Sequence, residues 1–262
     1  MRHLHLSLQK EPDYFVQTEL DKLRVSVGFL GAERKVLLFT SSEPNEGKSF
    51  ISVNTWLDLA KAGKRVCFVD ADMRKSNLRS TLKLIPQEGE FLGLSHLLSG
   101  QAKLSEVLYS TTQENAYMIP TTTLINPSLL LEDRMFEELM TVLRRDFDYI
   151  IVDTPPVGLL SDGLMVAKRC DGAVLVVRAH TTRRESALNV VRQLEQFNCP
   201  LMGVVLNRVD LEKSKNYYSG YYSKYYSSSY YSRHHYYYYA NAQDSAREQE
   251  EAEKKERGRK KS

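Results

Sequence analysis

The sequence predicts an α/β fold built on a doubly wound, mostly parallel sheet. Three observations carry that expectation: short β-branched apolar runs recur along the chain, helical stretches separate them, and two of the runs lead straight into aspartate. Apolarity that is continuous rather than alternating marks strands buried on both faces, and helices between such strands imply right-handed parallel crossovers.

Near the N-terminus, Val16, Leu20, Leu23, Val27 and Leu30 recur at steps of four, three, four and three, the apolar stripe of an amphipathic helix. Pro12 and Asp13 mark its start. The stripe has two readings, a face packed on the domain or a docking face for another subunit. The run Val36-Leu37-Leu38-Phe39 predicts a strand, followed by a loop and a helix over residues 48–62. Further strands are expected at residues 65–69, 149–152, 173–177 and 202–206, with a weaker one at 116–119. Between them, residues 127–145 carry Leu130, Phe136, Leu139, Met140 and Leu143 on one side of a helix, and residues 184–197 form another.

The chain has 262 residues, of which 42% are hydrophobic and 26% charged. That suits one large globular domain with or without appendages and excludes wholesale disorder. With 36 Lys and Arg against 33 Asp and Glu, the net charge of +3 is too balanced to argue for a nucleic-acid partner. The imbalance is local, because the stretch from Leu211 holds 11 basic and 7 acidic residues. Cys67, Cys170 and Cys199 are scattered without C-x-x-C spacing, which fits a reduced cytoplasmic protein better than a disulfide framework. The six histidines form no metal-ligand pattern. No run reaches the ~18 apolar residues of a membrane span, and Met1 leads into a polar stretch, so a complete chain without a signal peptide is expected.

Three segments follow: residues 1–34 with the amphipathic helix, a domain over 35–210, and a tail over 211–262. Twelve of the 16 tyrosines crowd into 217–239: Tyr217, Tyr218, Tyr221, Tyr222, Tyr225, Tyr226, Tyr230, Tyr231, Tyr236, Tyr237, Tyr238 and Tyr239. Lacking aliphatic residues for a core, this low-complexity tail is expected to be disordered. Residues 247–261 intersperse Glu with Lys and Arg, a solvated helix at most.

Chemistry concentrates at the ends of the strands. Residues 40–49, T-S-S-E-P-N-E-G-K-S, join a strand to a helix, where backbone amides and the helix N-terminus wrap a polyphosphate. Gly47 lets the backbone approach, Lys48 reaches the β- and γ-phosphates, and the Ser49 hydroxyl ligates Mg²⁺. Ser42 stands where such loops carry their first glycine. Alone, a G-K-S tripeptide also suits an ordinary helix start. Context comes from V-D-A-D-M-R at 69–74 and I-I-V-D-T-P-P at 150–156, which bring Asp70, Asp72 and Asp153 to the carboxyl edge of the sheet. A carboxylate there either caps the following helix or holds Mg²⁺ and accepts a proton, and three in the right order favour the second. The pattern reads as a P-loop nucleotide hydrolase or transferase.

These three motifs, with Asn126-Pro127-Ser128-Leu129-Leu130, Asp162 and the tyrosine-rich tail, resemble those of bacterial protein-tyrosine kinases. The resemblance runs from about Leu23 to Tyr239. It implies a P-loop NTPase of the deviant partitioning and septum-site ATPase type, ATP and Mg²⁺ as cofactors, and protein tyrosine as substrate. It also implies a role in capsular or exopolysaccharide polymerisation and export.

By the same resemblance, Pro44, Asn45, Glu46, Gly47, Lys48, Ser49 and Phe50 bind the nucleotide, with Arg74 steadying phosphate or acceptor charge and Asn207-Arg208 meeting the adenine. Asp70 is the base, and Asp72 and Asp153 organise the metal with Ser49 and Asp70, partly through water. The tail tyrosines become autophosphorylation sites or, on the competing reading, an aromatic spacer. Phosphate on several of them would reverse the tail's charge and loosen an oligomer. Expected partners are a membrane adaptor, the chain-length regulator whose cytoplasmic segment activates the kinase, further copies of the chain, and a tyrosine phosphatase. The protein is placed in the cytoplasm, peripheral to the inner membrane face through the adaptor. In place of the family's E-x-x-R-x-x-R stand Thr18, Asp21 and Arg24, so weak self-association is expected. Two other classes stay in view: an ATP-switched assembly regulator and a scaffold with a structural nucleotide site.

Overall fold

The computed structural model describes residues 2–8, 12–124, 127–132 and 134–210. The tyrosine cluster at 217–239, the charged run at 247–261 and Asn126 lie outside the described residues. Met1–Val209 form one compact unit.

In chain order the first elements are β1 (Arg2–His5), α1 (Tyr14–Gly28), β2 (Val36–Ser41), α2 (Lys48–Lys61) and β3 (Val66–Asp70). Short pieces follow: α3 (Leu78–Thr81), β4 (Ile85–Pro86), α4 (Leu94–Leu98), α5 (Leu104–Val107), β5 (Tyr109–Thr111) and β6 (Ala116–Ile119). Next come α6 (Ser128–Glu132), α7 (Arg134–Asp146) and β7 (Tyr149–Asp153). The chain then runs through α8 (Asp162–Ala167), β8 (Gly172–Arg178), α9 (Arg184–Gln196) and β9 (Leu201–Asn207).

The nine described strands form one sheet in the order β4-β1-β5-β6-β3-β7-β2-β8-β9. Pairing is parallel throughout the β6-β3-β7-β2-β8-β9 portion and antiparallel only at β1 with β4 and at β5 with β6. Alternate residues of each buried strand feed opposite cores. Val36 and Leu38 join Cys67, Val69, Ile150 and Val152 under α6 to α9, with Phe136, Leu139, Met140 and Leu143 of α7 facing them. Leu37 and Phe39 join Phe68, Ile151, Val174 and Val176 under α1 and α2. Two complete cores, one on each face, are what the continuous apolar runs require.

The stripe of α1 packs inward: Leu20 and Val27 are buried, and Val16, Leu23 and Leu30 pack around them. Asp13 caps this helix, its side chain accepting from the Val16 amide at 2.9 Å. The packed-face reading is therefore the one the fold realises, while Tyr14, Val25 and Phe29 remain exposed elsewhere on the helix. Where one helix was expected over 127–145, α6 and α7 flank Asp133, which lies outside the described residues.

Strands β1, β4 and β5 were not expected. Strand β1 inserts between the other two, parallel to β5 and antiparallel to β4. Arg2 secures it, donating to the carbonyls of Glu88 at 2.7 Å and Glu106 at 3.0 Å and lying 5.1 Å over the Tyr109 ring.

The single tryptophan, Trp56 of α2, is fully buried with its ring 5.2 Å from that of Phe68 and its Nε1 donating to the Val66 carbonyl at 3.3 Å. Truncating it opens a cavity between helix and sheet. Trp56→Ala is expected to lower unfolding free energy by about 3–5 kcal/mol, read from urea denaturation followed by circular dichroism.

Candidate active site

Strand β2 delivers the chain into a loop that ends at Gly47, the residue preceding α2. Gly47 has φ of 93°, and a Cβ there would fall 1.9 Å from Nδ2 of Asn207. No other residue type fits without moving Asn207. Glu46 is buried, its carboxylate accepting from the amides of Ser42 at 2.7 Å and Glu43 at 3.0 Å and from the Thr182 hydroxyl. Asn207 Nδ2 donates to the Glu46 carbonyl at 2.9 Å. A buried acid thus holds the loop from inside while β9 props it from beneath. Past Gly47, the first-turn amides of α2 are the unpaired donors an anion meets at a helix N-terminus. Ser42 is buried, its Oγ without a partner among the described residues, and it has no positive φ that would call for glycine.

Lys48, Ser49 and Asp153 converge. The Lys48 ammonium donates to Asp153 Oδ2 at 2.8 Å, the Ser49 hydroxyl to the same oxygen at 2.8 Å, and the Ser52 hydroxyl to Oδ1 at 3.0 Å. Asp153 is 1% exposed and Lys48 7%, so the pair faces little solvent screening.

Asp70 ends the neighbouring strand in direct register with Asp153. It is buried, accepting from the Ser76 hydroxyl and from the Asp72 amide at 3.2 Å. Burial, opposed by the Ser76 hydrogen bond and reinforced by the charges of Asp153 and Asp72, pushes its carboxyl from 3.8 up to about 8. Burial likewise raises Asp72, against the pull of Lys48. Arg74 does not point free. It pairs with the buried Asp162 and donates to Ser128 Oγ at 3.1 Å, while Ser128 donates to Asp162 at 2.7 Å. For Asp162 burial alone would raise the pKa, but the hydrogen bonds from Arg74 and Ser128 and the Arg74 charge bring it below the ordinary value.

A cleft of about 720 Å³ opens over these groups. Pro44, Asn45, Glu46, Gly47, Lys48, Ser49, Phe50, Asp72, Arg74, Asp153 and Arg208 line it, as the motifs led one to expect. Asp70 and Asn207 sit behind the wall: Asp70 touches it through Ser76, and Asn207 supports the loop and accepts from the Arg208 amide at 2.8 Å. Sequence reasoning missed Ser52, Ser76, Thr182 and Leu8. Only Ser52 carried a local signal, since three residues after Ser49 it shares that residue's face of α2.

The donors at Ser49 and Asp153 are hard oxygens, and among the described residues no three of His, Cys, Asp or Glu gather to hold a metal unaided. That set fits Mg²⁺, which takes one or two protein oxygens and completes its shell with phosphate and water.

Asp70 also has a thermodynamic consequence. Its folded pKa is raised, so from about pH 4 to about pH 8 the native state holds a proton that the unfolded chain has released, and stability falls as pH rises through that window. Asp70→Asn removes the penalty. With a chelator present, its melting temperature is expected to exceed wild type, and by more at about pH 9 than at about pH 6.

A family model described as an AAA domain matches residues 35–197. Tyrosine-protein kinase CpsD of Streptococcus agalactiae is 35% identical over 203 residues, covering 77% of this chain and 85% of the relative. The kinase domain of Escherichia coli tyrosine kinase ETK superposes with a TM-score of 0.66 at 27% identity, over 73% of this chain and 76% of that one. The septum site-determining protein MinD of Pyrococcus horikoshii, solved with Mg-ADP, shares the fold with a TM-score of 0.58 at 23% identity, over 70% of this chain and 76% of its own. With its phosphate loop, its paired aspartate strands and these relatives, the chain belongs to the bacterial protein-tyrosine kinases, nucleotide-binding enzymes on a P-loop ATPase fold.

Proposed function

We propose that the chain transfers the γ-phosphoryl group of ATP to protein tyrosine, the tail cluster 217–239 of its own sequence foremost, and through that regulates capsular or exopolysaccharide polymerisation and export. The convergence of Lys48 and Ser49 on buried Asp153, beside Asp70 and Asp72 at one cleft, carries this reading.

Lys48 gives up part of its contact with Asp153 to take the β- and γ-phosphates, and the α2 amides hold the phosphate oxygens. Ser49, with Asp153 and Asp72 in part through water, would hold Mg²⁺, which when bound would supply positive charge to the phosphate oxygens. Arg208, which lines the cleft at the β9 end, would meet the adenine, with Asn207 positioning it from behind. The tyrosine oxygen attacks the γ-phosphorus as the bond from that phosphorus to the β–γ bridging oxygen breaks. ADP leaves, and the hydroxyl proton goes to Asp70 in its ionised form, whose fraction grows as pH rises towards about 8. Arg74, committed to Asp162 and Ser128, shapes the cleft wall rather than meeting the phosphate first.

A membrane adaptor with an activating cytoplasmic segment, an opposing tyrosine phosphatase and a cytoplasmic position against the inner membrane face complete the proposal, supported by the family. Among the described residues no helix is long and apolar enough to cross a membrane. Asp21 and Arg24 pair within α1, 3.8 Å apart, in keeping with weak self-association through that helix.

Purified wild type and Lys48→Met, incubated with ATP and Mg²⁺ with and without an adaptor segment, decide the matter by intact-mass and peptide mass spectrometry. Wild type is expected to gain tail phosphates and the variant to lose at least ~100-fold in rate. ATP hydrolysis by wild type with no phosphotyrosine, even with a working adaptor, would replace the kinase by an ATP-switched assembly regulator.

A further inference from the structure

The cleft has two ends, and topology separates them. Arg208 follows β9, two strands from β2 on one side, whereas Ser76 and α3 follow β3, two strands from β2 on the other. A nucleotide extended from the phosphate loop towards Arg208 leaves the β3 end unused.

That end has an apolar floor and a polar rim. Leu8, Phe50, Val53, Leu78 and Leu82 line the cleft there with Ser76, among Asn54, Lys75, Asn77 and Thr81. Phe50 is the exception on its helix: at 42% exposed it turns an aromatic ring outward beside Ser49, while positions 51–60 of α2 are buried. Leu8 comes from far away in sequence, brought by the segment after β1, where the Ser7 amide donates to the Leu82 carbonyl at 2.8 Å. Ser76 has a defined set of bonds. A serine hydroxyl offers one proton and two lone pairs. The proton goes to Asp70 Oδ2, and one lone pair takes the Leu78 amide at 3.2 Å. Among the described residues the other lone pair is uncommitted, on a side chain that lines the cleft.

The geometry points to an acceptor subsite at this end of the cleft: a tyrosyl ring lies against Phe50 and Leu8 over the floor of Val53, Leu78 and Leu82, and its hydroxyl donates to Ser76. An aromatic body with a polar tip matches an apolar floor with a hydrogen-bond acceptor, Ser76, at its edge. Serine and threonine, lacking the ring, would leave the trough wet and their hydroxyls short of Ser76. In the transfer step, starting from ionised Asp70, the tyrosine proton passes to Ser76 Oγ as Ser76 hands its own proton to Asp70. Ser76 ends neutral, the new bond joins the tyrosine oxygen to phosphorus, and ADP departs. Ser76 is thereby a catalytic residue, and Phe50 and Leu8 set acceptor specificity.

The subsite rests on the kinase reading, and one experiment separates the two. The full chain is given ATP, Mg²⁺ and a peptide of residues 217–226, with phosphotyrosine counted on the peptide. The same peptide with its six tyrosines replaced by phenylalanine serves as inhibitor. The phenylalanine peptide is expected to compete with the tyrosine peptide and not with ATP, and a serine-substituted peptide not to inhibit. Phe50→Ala and Leu8→Ala are expected to raise the peptide KM about 5- to 20-fold and to weaken the phenylalanine peptide in step. Ser76→Ala should lower kcat about 100-fold with little change in KM, and Ser76→Thr should keep kcat within about threefold. No transfer by wild type would overturn the kinase reading itself. Transfer by wild type with KM and inhibition unmoved in Phe50→Ala and Leu8→Ala would overturn the subsite alone. A loss of ADP affinity in Leu8→Ala equal to the rise in KM, measured by calorimetry, would assign the trough to the nucleotide and equally overturn it.

Discussion

Everything at the cleft is organised around one buried carboxylate. Asp153 is withdrawn from water at the end of a central strand, and a charge in that position persists only if it is paired and hydrogen-bonded. Lys48, Ser49 and Ser52, all on the first turns of α2, supply those partners. The contact therefore fixes the helix against the sheet at the height where the phosphate loop must open. It also keeps the Lys48 ammonium beside Ser49 at the start of α2. Breaking one partner would strand the other charge, so the pair acts more as a register pin than as a source of net stability.

Next to this pin stands a second buried carboxylate. Asp70 and Asp153 are neighbours in register on parallel strands, and two buried acids at that spacing do not both ionise readily. Burial is the main reason that Asp70 keeps its proton longer than an exposed acid, and the neighbouring charges of Asp153 and Asp72 add to it.

The central architecture was legible because its signals are local. Strand β6 lies where the weak apolar run placed it, and α2, β7, β8 and β9 lie within a residue or so of theirs. Lys48, Asp72 and Asp153 were legible because strand-end motifs put chemistry at a fixed edge of such a sheet. What escaped depends on distance along the chain. Strands β1, β4 and β5 are two to four residues long and take their identity from one another rather than from their composition. Thr182 reaches Glu46 across 136 positions, and no spacing rule connects them. The role expected of Arg74, steadying phosphate or acceptor charge, took no account of its buried partner Asp162, which lies 88 positions away.

The insertion of β1 also orders events in time. His3 and Ser110 are separated by 107 positions, yet their strands pair side by side. During synthesis the first strand leaves the ribosome and waits for its neighbours, about 5–20 s at ordinary elongation rates. Closing so long a loop is slow compared with the helical crossovers that build the centre. The wall that carries Leu8 is therefore among the last parts of the cleft to set. A nascent chain stalled before residue 109 has, of its first strand's two neighbours, only the two-residue β4.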